Sequence, residues 1–363
     1  MESGMILRVK GVSKSFGSQQ VLEPITFEVG EGERICILGP SGCGKSTLLQ
    51  MVAGLQRIDS GEVEMAGVTV ERGRHYVPPE NRPINMVFQD YALWPHMTVK
   101  QNMEYGMKRR KLDTKDRADK LERLQSLLKL EGLLDRLPAQ LSGGQQQRVG
   151  IARALATEPK LLLMDEPLSN LDVKLRTDMR GELARLLGEL SIASLYVTHD
   201  RMEAFTVADR ILILRDGRID QFGEPRVLFE RPASPWVAQL MGYHNRLEAE
   251  LARNGQPEAI LAGRPIAGLR SGGDMGDGRA VIMIHPESIR ICSEETSAAG
   301  SLLKVTVVQT VYEGTRWRVI VETADRQPIH LFHDCTVDAG SELWIRLSPD
   351  QTMIYADSSM LAP

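Results

Sequence analysis

The sequence predicts a two-part chain, an α/β core with a parallel sheet followed by an all-β domain, and three observations carry that reading. Up to about Gly242, short apolar runs alternate with helical patterns, the texture of parallel strands joined by crossover helices. From about Asn245 onward, the runs AVIMI (280–284), LLKVTVV (302–308), RWRVIVE (316–322) and LWIRL (343–347) are separated by Gly, Asp and Pro, which reads as a barrel or sandwich. The third observation is length: 363 residues exceed one ordinary core, since single cores rarely grow past about 250 to 300 residues. The boundary falls near Gly242, giving domains of residues 1–242 and 243–363, with SGGDMGDG (271–278) as a flexible connection inside the second.

Composition narrows the class. With 42% hydrophobic and 25% charged residues, the chain is neither disordered nor fibrous. Its 44 basic and 48 acidic residues leave a net charge of −4, which removes a broad electrostatic case for nucleic acid as a partner. The basic run KRRK (108–111) reads as a solvated helix end. Cys36, Cys43, Cys292 and Cys335 lie far apart without CxxC spacing, so neither a zinc site nor a disulfide framework is expected, and a reducing compartment fits. The first residues lack the apolar core of a signal peptide, and no run of about 18 apolar residues occurs. The expectation is a chain that neither crosses a membrane nor leaves the cytoplasm by that route.

In chain order, the first element with chemistry is GPSGCGKST (39–47), preceded by the apolar run ICIL (35–38) and followed by LLQMVAGL. Strand, glycine loop and helix form the context in which this motif binds phosphate. Gly39, Gly42 and Gly44 allow the tight turn, and the backbone N–H groups of Gly39, Pro40, Ser41, Gly42, Cys43 and Gly44, proline excepted, can face phosphate oxygens at a helix N-terminus. Lys45 then reaches the β and γ phosphates, and Ser46, with Thr47 beside it, offers a hydroxyl to Mg²⁺. A nucleoside triphosphate site is expected.

Residues 112–137 follow as an amphipathic helical insert, with Leu121, Leu124, Leu128 and Leu134 at helical spacing among charged residues, a stripe that packs against the core. The apolar strand LLLM (161–164) runs into Asp165 and Glu166. Asp165 at the strand end can hold the magnesium, and Glu166, one residue on, faces the place of an attacking water. Two adjacent carboxylates after a buried strand are costly unless a metal and a substrate engage them.

A second glycine turn, LSGGQ (141–145), has no lysine to hold a phosphate. With it, the first 240 or so residues resemble the ATP-binding subunits of ABC transporters, motif after motif in the expected order. The resemblance implies a P-loop NTPase fold with a RecA-like core and a helical subdomain over about 90–155. It also implies a homodimer in which Ser142, Gly143, Gly144 and Gln145 of one subunit cap the γ-phosphate held by the lysine loop of the other. Gln89 in MVFQDYALWPHMTV matches the glutamine that approaches the metal and the attacking water. SNLD (169–172) matches the loop crossing the dimer interface, with Asp172 its acidic member. His199 in YVTHD matches the switch histidine at the γ-phosphate, and Phe16 in SKSFG stands where the family more often has Tyr or Trp on the adenine. Arg201 departs from the family's usual glutamine.

The β-rich tail resembles the C-terminal OB-like domain of importer ATPases of the maltose, polyamine, ferric-iron and sulfate type, and IHPESIRI (284–291) is similar to its short motif, with His285 in place of arginine. This resemblance implies ATP and Mg²⁺ as cofactors, integral-membrane permease subunits as partners and, through them, an extracytoplasmic solute-binding protein. The place of work is the cytoplasmic face of the membrane, and the permease-facing patch includes Tyr91, Leu93, Trp94 and Met97, unless Trp94 packs inward. The alternative is a soluble ABC-type ATPase of DNA repair or chromosome maintenance; those carry long coiled coils between the two loops, whereas residues 48–140 hold only a modest insert.

Overall fold

A computed structural model of the chain describes residues 4–252, 258–271, 278–292 and 300–356. It divides into two compact units, Met1–Pro225 and Arg226–Pro363. Most of the glycine-rich connection expected at 271–278 lies outside the described residues.

The first unit opens with antiparallel strands β1 (Met5–Phe16) and β2 (Gln19–Gly30), then β3 (Arg34–Leu38) and helix α1 (Lys45–Ala53). Next come β4 (Ser60–Met65), β5 (Val68–Arg72), β6 (His75–Tyr76) and β7 (Ile84–Val87). A helical segment follows with α2 (Val99–Arg109), α3 (Thr114–Leu127) and α4 (Gly143–Leu155). The unit is completed by β8 (Leu161–Asp165), α5 (Val173–Leu190), β9 (Ala193–Thr198), α6 (Arg201–Val207), β10 (Arg210–Arg215) and β11 (Arg218–Gly223).

Two sheets result. The order β11-β10-β3-β9-β8-β7 is parallel from β10 to β7, so the ends of β3, β8 and β9 share one edge, where ligands of open α/β sheets bind. The second sheet, β2-β1-β4-β5-β6, is antiparallel. One apolar cluster runs through Val9, Phe27 and Val63 of this sheet, Leu48 and Val52 of α1, and Ile37, Leu163, Val197 and Leu212 of the parallel sheet. The strands β3, β8 and β9 are buried along nearly their whole length, with apolar side chains predominating, because both faces are covered.

The helical ends follow from local chemistry. Thr98 and Gln101 form a capping box on α2, and Asp113, Asp172 and Asp200 cap α3, α5 and α6 through their side chains. The KRRK run is the exposed end of α2. Leu121, Leu124 and Leu128 are buried as the stripe requires. The helix stops at Leu127, however, so Leu134 is not on it. Lys129 and Gly132 take left-handed backbone there, and the Leu134 carbonyl instead accepts from the Lys100 amide at 2.9 Å.

The second unit begins with α7 (Pro225–Glu230) and α8 (Pro235–Met241), followed by β12 (Asn245–Leu251), β13 (Glu258–Leu261), β14 (Arg264–Ala267) and β15 (Leu269–Ser271). Then come β16 (Arg279–Ile284), β17 (Arg290–Cys292), β18 (Ser301–Tyr312), β19 (Trp317–Glu322), β20 (Pro328–His333), β21 (Glu342–Leu347) and β22 (Thr352–Ala356). They form the sheets β14-β13-β12-β16-β22-β15 and β17-β21-β18-β19-β20, closed over a core that includes Leu247, Ile282, Val305, Val321, Leu331, Ile345 and Ile354. This is the all-β, OB-like half. Sequence texture changes near Gly242 while packing changes at Pro225, because α7 and α8 fold onto the β-rich half: the Tyr243 hydroxyl donates to the Phe229 carbonyl at 2.9 Å and the Tyr355 hydroxyl to the Pro232 carbonyl at 2.8 Å.

Candidate nucleotide site

The site is assembled at the edge where β3, β8 and β9 end. After β3 the chain turns through residues 39–44 into α1. Gly44 caps the helix at φ 101°, and a Cβ there would lie 2.7 Å from Leu22 Cδ2; a Cβ on Gly39 would lie 2.2 Å from the Leu214 carbonyl oxygen. Any side chain would therefore push the loop off its neighbours. Lys45 is only 6% exposed, and its Nζ donates to the carbonyls of Gly39 at 2.9 Å and Pro40 at 2.8 Å. The ammonium is folded across the mouth of the loop. Cys43 is buried, and burial pushes its thiol pKa up.

The acidic strand end meets this loop. Ser46 Oγ donates to Asp165 Oδ1 at 2.9 Å across 119 residues of sequence. Burial raises the pKa of Asp165, and the Ser46 hydroxyl counters that. Two hard oxygens so placed fit Mg²⁺, which keeps several waters and takes few protein ligands. Glu166 sits in left-handed backbone at φ 44°. Its amide donates to the Val197 carbonyl at 3.0 Å, and its Oε2 is 3.2 Å from His199 Nδ1. Strain at a non-glycine residue held by surrounding bonds is a common feature of reacting centres.

Gln89 follows β7 and is exposed; its carbonyl accepts from Asn170 Nδ2 at 2.9 Å, which ties it to the SNLD loop. Arg176 holds that loop from below through the Ser169 and Leu171 carbonyls. Asp172 caps α5 by accepting from the Leu175 amide at 3.0 Å. Ser142 caps α4: the Gln145 amide donates to its Oγ at 3.4 Å, and Gln145 Oε1 accepts from the Ser142 amide at 2.9 Å. A Cβ on Gly143 would stand 3.3 Å from Leu171 Cδ2 and one on Gly144 3.4 Å from Leu175. Among the described residues, no hydrogen bond or ion pair joins 142–145 to 39–47. Phe16, at the end of β1, is 49% exposed.

Several supporting side chains escaped the sequence reading. Glu203 is buried and accepts from the Tyr196 hydroxyl at 2.8 Å and the Thr198 hydroxyl at 2.7 Å, which braces the segment carrying His199. The stretch DRME (200–203) carries the cap-plus-glutamate signal that points to it. Arg153 on α4 donates to the carbonyls of Tyr91 at 2.9 Å and Ala92 at 2.6 Å, both residues in left-handed backbone. Its guanidinium lies 4.9 Å from the Trp94 ring. Trp94 is half-buried against Tyr105 at 4.3 Å, and Tyr91 is buried.

A glycine loop closing onto a helix N-terminus, with a hydroxyl and a carboxylate meeting beside it, defines a P-loop nucleoside triphosphatase. Comparison with known proteins carries this further. The family model described as ABC transporter matches residues 22–169, and that of the TOBE domain matches residues 282–354. A spermidine/putrescine import ATP-binding protein of Thermobifida fusca is 38% identical over 96% of this chain and 93% of its own length. An sn-glycerol-3-phosphate import ATP-binding protein of Salmonella typhi is 39% identical over 96% of this chain and 97% of its own. An Fe(3+) ions import ATP-binding protein of Fusobacterium nucleatum is 35% identical over 97% and 93%. The chain belongs to the ABC transporter family, as one of its import ATP-binding subunits, with ATP hydrolysis coupled to import as its activity.

Proposed function

We propose that two copies of the chain close on two ATP molecules, each with Mg²⁺, and reopen after hydrolysis, driving solute uptake through membrane permease subunits supplied by an extracytoplasmic binding protein. The chain works peripherally at the cytoplasmic face; among the described residues no helix is long and apolar enough to cross a membrane. The observation that carries the reading is an incomplete site. At the N-terminus of α4 the exposed Ser142 is bonded to Gln145 within its own turn, with the exposed Gly143 beside it, apart from the loop of Lys45. A helix N-terminus with an exposed serine and bare glycine backbone suits a γ-phosphate delivered by another copy.

In this reading Gly39 to Thr47 cradle the phosphates, Lys45 exchanges its two carbonyl partners for phosphate oxygens, and Phe16 stacks on the base. Ser46, Asp165 and Gln89 would hold the metal, which would supply positive charge to the phosphates. Glu166 orients or deprotonates the attacking water, and His199 positions the γ-phosphate. Asp172 borders the partner. ATP favours the closed pair because both chains touch it there, and hydrolysis removes that preference. We assign the nucleotide-binding domain to residues 1–242, its helical subdomain to about 90–155 and the OB-like domain to 243–363, where sequence texture changes. Tyr91, expected in the permease-facing patch, is buried, so the loop would meet a permease through the half-buried Leu93, Trp94 and Met97.

The test is Glu166→Gln. The variant binds ATP, hydrolyses it at least about a hundredfold more slowly, and sediments as a dimer with Mg–ATP. Full turnover, or a monomer at saturating ATP, overturns the scheme.

A further inference from the structure

β1 shifts register against β2 three times in succession, between Val9 and Val12, between Val12 and Lys14 and between Lys14 and Ser15. Such irregularities re-aim side chains. Here they leave Lys14 only 7% exposed, with Nζ 2.7 Å from Asp59 Oδ1. Asp59 Oδ2 accepts from the Ser15 amide at 2.7 Å, and the Asp59 amide donates to the Ser13 carbonyl at 3.0 Å. Three consecutive residues, 13 to 15, are thus fastened to one aspartate. The Lys14 bond, followed by that from Ser15, holds the Asp59 carboxyl below its usual range.

Beyond this lock stands Phe16, with the Lys14 ammonium 5.3 Å from its ring centroid. A cation over an aromatic face is attracted by the ring quadrupole, and it occupies that face. The location matters because Lys14 pairs with Leu22, and Leu22 is the side chain that abuts Gly44 at the phosphate loop. An exposed ring with one face taken therefore stands at the end of a hairpin that touches the phosphate-binding turn.

We infer that Lys14, held by Asp59, is a positioning residue for nucleotide recognition: it sets the plane of Phe16 and leaves a single face for the base of ATP. This rests on the base-stacking role given to Phe16 above. A ring oriented in advance loses less side-chain freedom on binding, and the effect is confined to ligands that carry a base.

The experiment measures binding of Mg–ATP and of Mg–tripolyphosphate to the full chain by calorimetry, in Lys14→Met, Lys14→Arg, Phe16→Ala and the Lys14→Met/Phe16→Ala pair. Lys14→Met and Phe16→Ala each weaken ATP about three- to tenfold while tripolyphosphate stays within about twofold. Lys14→Arg, which keeps the cation and a donor for Asp59, restores most of the ATP affinity. The double variant is no weaker than Phe16→Ala alone, because Lys14 acts through the ring. Equal weakening of both ligands by Lys14→Met, or losses that add in the double variant, would show a merely structural tie and overturn the inference. So would an unchanged ATP affinity in Lys14→Met beside a weakened Phe16→Ala. A Phe16→Ala protein that binds ATP normally sinks the base-stacking reading and the inference with it. Should Lys14→Met fail to fold, Asp59→Asn, which frees the ammonium, is read against the same two ligands with the same outcomes.

Discussion

Glu71 and Arg82 form an ion pair with both side chains wholly inaccessible to solvent, Nη2 to Oε2 at 2.8 Å. Arg82 also donates Nη1 to the Met51 and Val52 carbonyls, at 2.9 Å each, and Nε to the Val77 carbonyl at 2.8 Å. Glu71 Oε1 accepts from Arg57 Nε at 2.7 Å and from the Ile58 amide at 3.2 Å. The pair thereby ties the approach to β7 and Gln89 to the C-terminal carbonyls of α1, the helix whose first turn carries Lys45 and Ser46. Glu71→Gln keeps the volume but removes the counter-charge of a guanidinium that has no access to water. Breaking a buried pair costs about 3–5 kcal/mol, and because Arg82 keeps three carbonyl acceptors the expected loss lies near the lower end, about 3 kcal/mol. Arg82→Met leaves Glu71 with Arg57 yet strips three carbonyls of a donor, at about 1 kcal/mol each, which puts its loss toward the upper end. Replacing both by Met exchanges the pair for apolar volume and costs less than the sum of the singles. The assay is urea unfolding of the full chain followed by the helical circular-dichroism band, since α1 to α6 lie in the first unit. Single losses under about 1 kcal/mol, or a double loss equal to the sum, would refute the assignment of this pair as a buried clamp.

Two further outcomes are expected. Lys45→Ala and Ser142→Arg chains each fail to hydrolyse ATP alone, and mixing them restores at most one composite site per dimer, read as steady-state phosphate release; normal hydrolysis by either variant alone refutes the shared site. Asp59, with its pKa depressed by Lys14 and the Ser15 amide, contributes stability that is present above its unfolded pKa of about 3.9 and lost as pH falls through its lower folded value. The melting-temperature gap between the native chain and Asp59→Asn therefore narrows on acidification below about pH 4, and a gap constant from pH 7 to pH 3 contradicts the depressed carboxyl.

By itself the sequence determined the elements that local chemistry specifies: the strand–glycine–helix turn at 35–53 and the apolar run 161–164 that ends in Asp165 and Glu166. Each rests on backbone reach or on burial on both faces of a parallel sheet. It also carried the family, through the order of its motifs. The five-stranded antiparallel sheet that holds Phe16 was not legible, since β1, β2 and β4 to β6 are joined to one another by register rather than by any local period. The end of α3 short of Leu134 depended on left-handed backbone at Lys129, which the leucine spacing does not express. Tertiary structure alone decided that Ser46 meets Asp165, Glu166 meets His199, Arg82 closes on Glu71 and α1, and Asp59 fastens Lys14. Those bonds link side chains separated by 11 to 119 residues, and their geometry is set by which strands lie side by side and in what register, a property of the folded sheets that no short stretch of the chain contains.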